Sequence, residues 1–197
     1  MSDARSPPVN DPSVPGAWPA APACYGWLAL DRRGRWLLRG ETIAHPGLLA
    51  VIGDNYVAGP DGAWYFRNGP QRVYVDLECA PWVLRLTPAG LLQTHTGRLD
   101  AIPRAAWVDE SGTVLIDTTL GAGVLDGADL PAFVAGLVRA DGEPAQDADI
   151  EALLGRRSEA GAPLLYWRHD AGAIPVGCLA GDTAPARLGF VRTPRPS

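Results

Sequence analysis

The chain has 197 residues, 47% of them hydrophobic and 20% charged, with a net charge of −5. That length and balance exclude a disordered chain and fit one domain or two small lobes. The acidity argues against nucleic acid or a membrane surface as partner, and no apolar run is long enough to span a bilayer.

All 17 basic residues are Arg, and Gly and Pro number 23 and 19, the composition of GC-rich bacterial coding sequence. Residues 1–23 read as a disordered Pro-rich tail, with none of the apolar segment of a signal peptide. Cys24, Cys79 and Cys178 are odd in number and lack paired spacing. They predict neither a disulfide framework nor a zinc site, and fit reduced thiols in the cytoplasm.

From residue 24 the chain becomes a string of hairpins. Four turns recur: Asp31-Arg32-Arg33-Gly34, Gly59-Pro60-Asp61-Gly62, Thr87-Pro88-Ala89-Gly90 and Asp109-Glu110-Ser111-Gly112. Each separates two apolar or alternating runs and closes on a Gly, which tolerates positive φ. Trp36 and Trp64 each lie two residues beyond a turn Gly and are predicted to be core residues. A short helix opening at Pro46 and ending near Gly53 interrupts the strands and is expected to cover these rings. Further helices are predicted over 129–138, capped by Asp126 or Asp129, and over 147–154, with a linker at 140–146. Strands follow at 163–168, 174–179 and 187–191, before a frayed end. The fold class is α+β: mostly antiparallel hairpins with two or three short helices in two roll-like lobes. The first lobe spans 24–78 and the second, β-rich, spans 79–197 with the C-terminal helix and strands.

Two stretches resemble the DUF1285 family of bacterial proteins. One is Gly34-Arg35-Trp36-Leu37-Leu38-Arg39-Gly40-Glu41-Thr42-Ile43 leading into Pro46; the other is Gln71-Arg72-Val73-Tyr74-Val75-Asp76-Leu77-Glu78-Cys79-Ala80-Pro81-Trp82. The resemblance covers about 28–139 and implies an α/β roll followed by a β roll, with no established activity. The chain departs from the family pattern at Gln71, Cys79 and His45, where the family has Glu, Asp and Arg.

Three patterns in the sequence bear on catalysis or ligand binding. Cys79 and His95 could pair across strands as nucleophile and base, oriented by Asp76 or Asp100, but no hydrolase motif accompanies them. His45, His95 and His169 lack metal-ligand spacing, as do Glu41 and His45, and no metal or other cofactor is expected. The ring of His45 is expected to matter less than its backbone. Gly121-Ala122-Gly123 lacks the rest of a phosphate loop and reads as a turn into the next helix, with at most a weak anion site there.

The strand over 72–78 is more informative. Its period-two alternation sends Val73, Val75 and Leu77 to one face and Arg72, Tyr74, Asp76 and Glu78 to the other. Tyr65 and Arg67 are expected to join the polar face. Arg67, Arg72, Tyr74 and Asp76 are therefore the candidate ligand-binding residues, for a small anionic or peptide ligand. The functional reading is a non-enzymatic binding module. A small hydrolase or transferase using Cys79 and His95 is the alternative. Exposed strand edges would allow pairing into a homodimer.

Overall fold

The computed structural model describes residues 22–155, 163–170 and 172–196. The expected tail falls almost wholly on 1–21, outside the described residues. Its last two residues belong to the fold: the Pro22 carbonyl accepts from the Arg72 N–H at 3.0 Å, and Ala23 opens the first strand.

The first sheet is built from β1 (Ala23–Leu30), β2 (Trp36–Leu38), β3 (Glu41–Thr42), β4 (Tyr56–Ala58), β5 (Trp64–Asn68) and β6 (Gln71–Leu77), ordered β3-β2-β1-β6-β5-β4. Helix α1 (Pro46–Asp54) lies between β3 and β4 in sequence. The second sheet holds β7 (Trp82–Leu86), β8 (Leu92–Thr94), β9 (Pro103–Val108), β10 (Val114–Thr118) and β11 (Gly121–Leu125). It continues, after α2 (Leu130–Ala135), through β12 (Leu137–Arg139) and, after α3 (Asp147–Leu154), through β13 (Leu165–His169) and β14 (Gly172–Cys178). Its order is β12-β13-β14-β9-β10-β11-β7-β8. Most neighbours are antiparallel, and the parallel pairs β1–β6, β7–β11 and β9–β14 join strands distant in sequence. No helix among the described residues is long and apolar enough to cross a membrane.

The four Gly-closed turns share one geometry. Gly34, Gly62 and Gly112 have φ of +79° and Gly90 +76°. Each Gly N–H donates to the carbonyl three residues back, at 2.9 to 3.2 Å. Asp31 and Asp109 complete their turns alike, one carboxylate oxygen accepting two backbone N–H groups at 2.8 and 2.9 Å. Such an Asp supplies the acceptors that the reversing chain would otherwise leave unmade.

The structure corrects several expected elements. The helix expected over 129–138 ends at Ala135, and Leu137 starts β12. Asp126 caps only a 3-10 turn, while Asp129 makes no cap and instead holds Arg85. The expected linker at 140–146 is a tight reversal, with Arg139 N–H on the Glu143 carbonyl and Ala145 N–H on that of Leu137. Gly121-Ala122-Gly123 is strand β11 rather than a turn, and a Cβ at Gly123 would sit 2.5 Å from the Leu84 side chain. At 187–191 there is no strand. A fourth helix, α4 (Ala184–Leu188), starts with a Pro in its first turn and stops at Gly189, φ +70°. Those start and stop signals outweigh the β preference of Phe190 and Val191.

After α4 the chain returns to the first sheet. Val191 N–H donates to the Gly62 carbonyl at 3.0 Å, and Leu77 N–H to the Arg192 carbonyl at 2.7 Å. A Cβ on Gly62 would meet the Gly189 carbonyl oxygen at 2.8 Å. Gly62→Ala therefore combines a positive φ with a backbone clash, and is expected to cost about 1–3 kcal/mol. A urea midpoint unchanged from wild type would contradict it.

The core lies between the sheets. Trp36 and Trp64 are buried, as expected. Helix α1 packs on β5, the strand of Trp64, burying Ile52 fully and Leu48, Leu49 and Val51 in part against the same core. The second sheet adds to that cover. Trp82 meets Trp64 edge to face at 5.2 Å, and His95 lies 5.3 Å from the Trp36 ring. Tyr56 stands among all four rings and donates its hydroxyl to the Pro81 carbonyl, burial pushing its pKa well up.

Candidate functional site

On β6, Val73, Val75 and Leu77 are buried, while Arg72 is exposed and Tyr74 and Asp76 are half-buried. Antiparallel pairing sets Tyr65 of β5 opposite Tyr74 and Arg67 opposite Arg72. Directly paired residues share a face. Arg67, Arg72, Tyr74 and Asp76 thus stand together on the side of the first sheet away from the core.

The structure adds a residue that the sequence left out. Tyr25 of β1 stacks on Tyr74, with ring centroids 4.4 Å apart and planes within 5°. Its position follows from a register shift between Cys24 and Leu28, with Gly26 at φ +70°. A lone Gly inside an apolar strand was the available signal for that bulge. Tyr65 tilts against Tyr74 at 5.5 Å, and the Arg72 guanidinium lies 5.3 Å over the Tyr65 ring. A hydrogen bond with Tyr74, then the charges of the tyrosines, raise the pKa of Arg72. Burial raises the Asp76 pKa, against the opposing pull of Arg195.

Arg67 and Arg72 are the unusual pair. Like charges directly opposite on neighbouring strands repel. Among the described residues neither guanidinium forms an ion pair with a carboxylate.

The other candidates come out differently. No hydrogen bond joins Cys79 to His95 among the described residues. Nδ1 of His95 instead accepts the Val83 N–H at 3.3 Å. Asp100 is tied to Arg98 at 2.6 Å and Asp76 lies on the outer face, so neither orients the imidazole. Burial pushes the Cys79 thiol up, opposite to the shift of an activated thiolate. Contrary to expectation the ring of His45 matters: its Nδ1 accepts the Leu48 N–H at 3.2 Å and caps α1. His169 packs on Trp167 at 5.3 Å. The described residues bring no three His, Cys, Asp or Glu together as a metal site. No disulfide joins Cys24, Cys79 and Cys178, and the Cys178 thiol donates to the Leu153 carbonyl at 2.7 Å.

A family model, DUF2944, described as "Protein of unknown function (DUF2946)", matches residues 15–195. The chain belongs to the DUF2944 family. This DUF2944 protein is also similar in structure to a DUF1285 family protein from Silicibacter pomeroyi DSS-3, at 14% identity and a TM-score of 0.51, over 78% of this chain and 80% of that one. A DUF1285 family protein from Shewanella baltica OS155 matches at 19% identity and a TM-score of 0.42, over 55% of this chain and 90% of that one. No curated protein matches. Through the Silicibacter pomeroyi structure, the resemblance to DUF1285 carried by the two sequence motifs holds at the level of the fold.

Proposed function

We propose that this DUF2944 protein is a non-enzymatic binding module, and that the outer face of the first sheet takes an acidic peptide. The facing pair Arg67 and Arg72 carries the reading. Two facing guanidinium groups that form no carboxylate ion pair among the described residues, Arg72 being drawn among carboxylates only by the charge of Asp61, lose repulsion when an anion bridges them, and their planar forks suit carboxylates. The stacked Tyr25 and Tyr74 beside them offer flat, amphipathic contact area to a side chain or a proline ring. An open sheet face suits an extended segment laid across it better than an enclosed small molecule.

Fluorescent peptides rich in Glu and Pro, titrated against the full chain, test this. Arg67→Gln with Arg72→Gln is expected to weaken binding at least about tenfold, and Tyr74→Ser to do the same. The arginine variants should still fold, because both side chains are exposed on the outer face of the sheet. Binding unaltered in both variants would reject the face as the ligand site. Cytoplasmic location is part of the same proposal and rests on three cysteines that form no disulfide.

A further inference from the structure

We infer that the groove between the 31–34 turn and the second sheet is a separate binding site, for a small molecule bearing a phosphate or carboxylate group. A hollow of about 680 Å³ there is lined by Arg32, Arg33, Arg85, Thr113 and the start of the 3-10 turn at Asp126 and Gly127. A neighbouring hollow of about 290 Å³ is walled by the same Arg33 and Arg85 and reaches His95. The larger volume is that of a metabolite-sized pocket.

Charge sets the ligand class. Arg85 is already matched, its Nε lying 2.9 Å from Asp129 and its Nη1 3.7 Å from Asp126. Arg32 and Arg33 are not: among the described residues neither guanidinium has a carboxylate partner. Their backbone is nonetheless fixed. The Arg33 N–H sits on Asp31 Oδ1 at 2.9 Å, and the Arg32 N–H on Glu78 Oε2 at 3.0 Å. The turn thus holds two free forks at the rim of a hollow whose third arginine is locked by its own acids. The positive excess is confined to the rim, where Arg32 and Arg33 outnumber Glu78; on the second sheet Asp126 and Asp129 outnumber Arg85.

The hydroxyls on the opposite wall are already used. Ser111 Oγ donates to Asp109 at 2.7 Å and lies 3.1 Å from the Thr113 hydroxyl. The anionic group is therefore held by Arg32 and Arg33, while the second-sheet wall shapes the space behind it. This site is distinct from Arg67 and Arg72, and either can fail without the other.

The test uses the full chain with two probes, inorganic phosphate and succinate, each against sodium chloride at equal ionic strength. Thermal shift and calorimetric titration read binding, and the imidazole ¹⁵N resonances of His95 report occupation of the adjoining hollow. One or both anions are expected to raise the melting temperature beyond chloride and to move the His95 resonances. A response to phosphate alone assigns a phosphorylated ligand, and to succinate alone a carboxylate. Arg32→Gln with Arg33→Gln, both exposed side chains, should weaken binding at least about tenfold. Arg104→Gln, at an exposed arginine outside both hollows, should leave it unchanged. The proposal is overturned if neither anion exceeds chloride at about 10 mM, or if binding survives in the Arg32 and Arg33 variant.

Discussion

Trp82→Ala is expected to lower the unfolding free energy by about 3–5 kcal/mol, a large fraction of the stability of a domain of this size. Trp82 is 2% exposed and sits where the two sheets meet. Its ring makes edge-to-face contacts with Tyr56 and Trp64, both at 5.2 Å, and lies 5.6 Å from His95. Its Nε1–H donates to the Leu120 carbonyl at 2.8 Å. Truncation therefore opens a cavity shared by both sheets and leaves a carbonyl without its donor. Denaturant melts should show the midpoint falling sharply. Trp36→Ala and Trp64→Ala should follow the same pattern, whereas Trp27, half-buried beneath Arg39, should cost far less. Equal midpoints for Trp82→Ala and wild type would mean that the inter-sheet cluster is not the core.

The second large effect is acid sensitivity. Part of His95 reaches the surface, but its Nε2 is sealed from solvent and has no hydrogen-bond partner among the described residues. Burial pushes its pKa down to about 4 from the usual 6.5, and Asp31 offsets this only in part. With Nδ1 accepting the Val83 N–H, the neutral ring carries its proton on Nε2. A depressed folded-state pKa means that the unfolded chain takes up the proton first as pH falls. This contribution to stability is whole above about pH 6.5 and is lost progressively towards pH 4, amounting to about 3 kcal/mol. Urea melts at pH 7 and pH 4.5 should show it. His95→Asn keeps an acceptor near the Nδ1 position and cannot titrate, so its stability should vary less with pH over that range. An identical pH dependence in the variant would assign the acid loss to carboxylates.

The hairpins were legible because their signals are local. Asp31 and Asp109 open turns that Gly34 and Gly112 close, and the structure builds them as the sequence spells them. The face bearing Arg67, Arg72, Tyr74 and Asp76 was legible for the same reason, since period two needs only the strand itself. The sheet closures were not. Pairing β1 with β6, or β9 with β14, depends on which distant edges meet, and no local pattern encodes that. Tyr25 was missed because a bulge at Gly26 re-aims the strand. Cys79 and His95 make no hydrogen bond although β7 and β8 pair, because Cys79 precedes β7 and the β7 residue that bonds His95 is Val83. In the fold His95 faces Trp36, Tyr56 and Trp82 instead. At 187–191 the strand expectation gave weight to Phe190 and Val191 and too little to Pro185 and Gly189.

The return of residues 191 and 192 to Gly62 and Leu77 bears on how the protein is made. Synthesis delivers the first sheet early, but two of its backbone groups wait for partners encoded near the far end of the chain. While the second sheet is still emerging from the ribosome, the Leu77 N–H and the Gly62 carbonyl remain unclaimed, and any extended strand nearby can occupy them. Native closure of the first sheet is thus a late event, and nascent chains stalled before Val191 should be cleaved by protease near β6 at sites that the full-length fold protects.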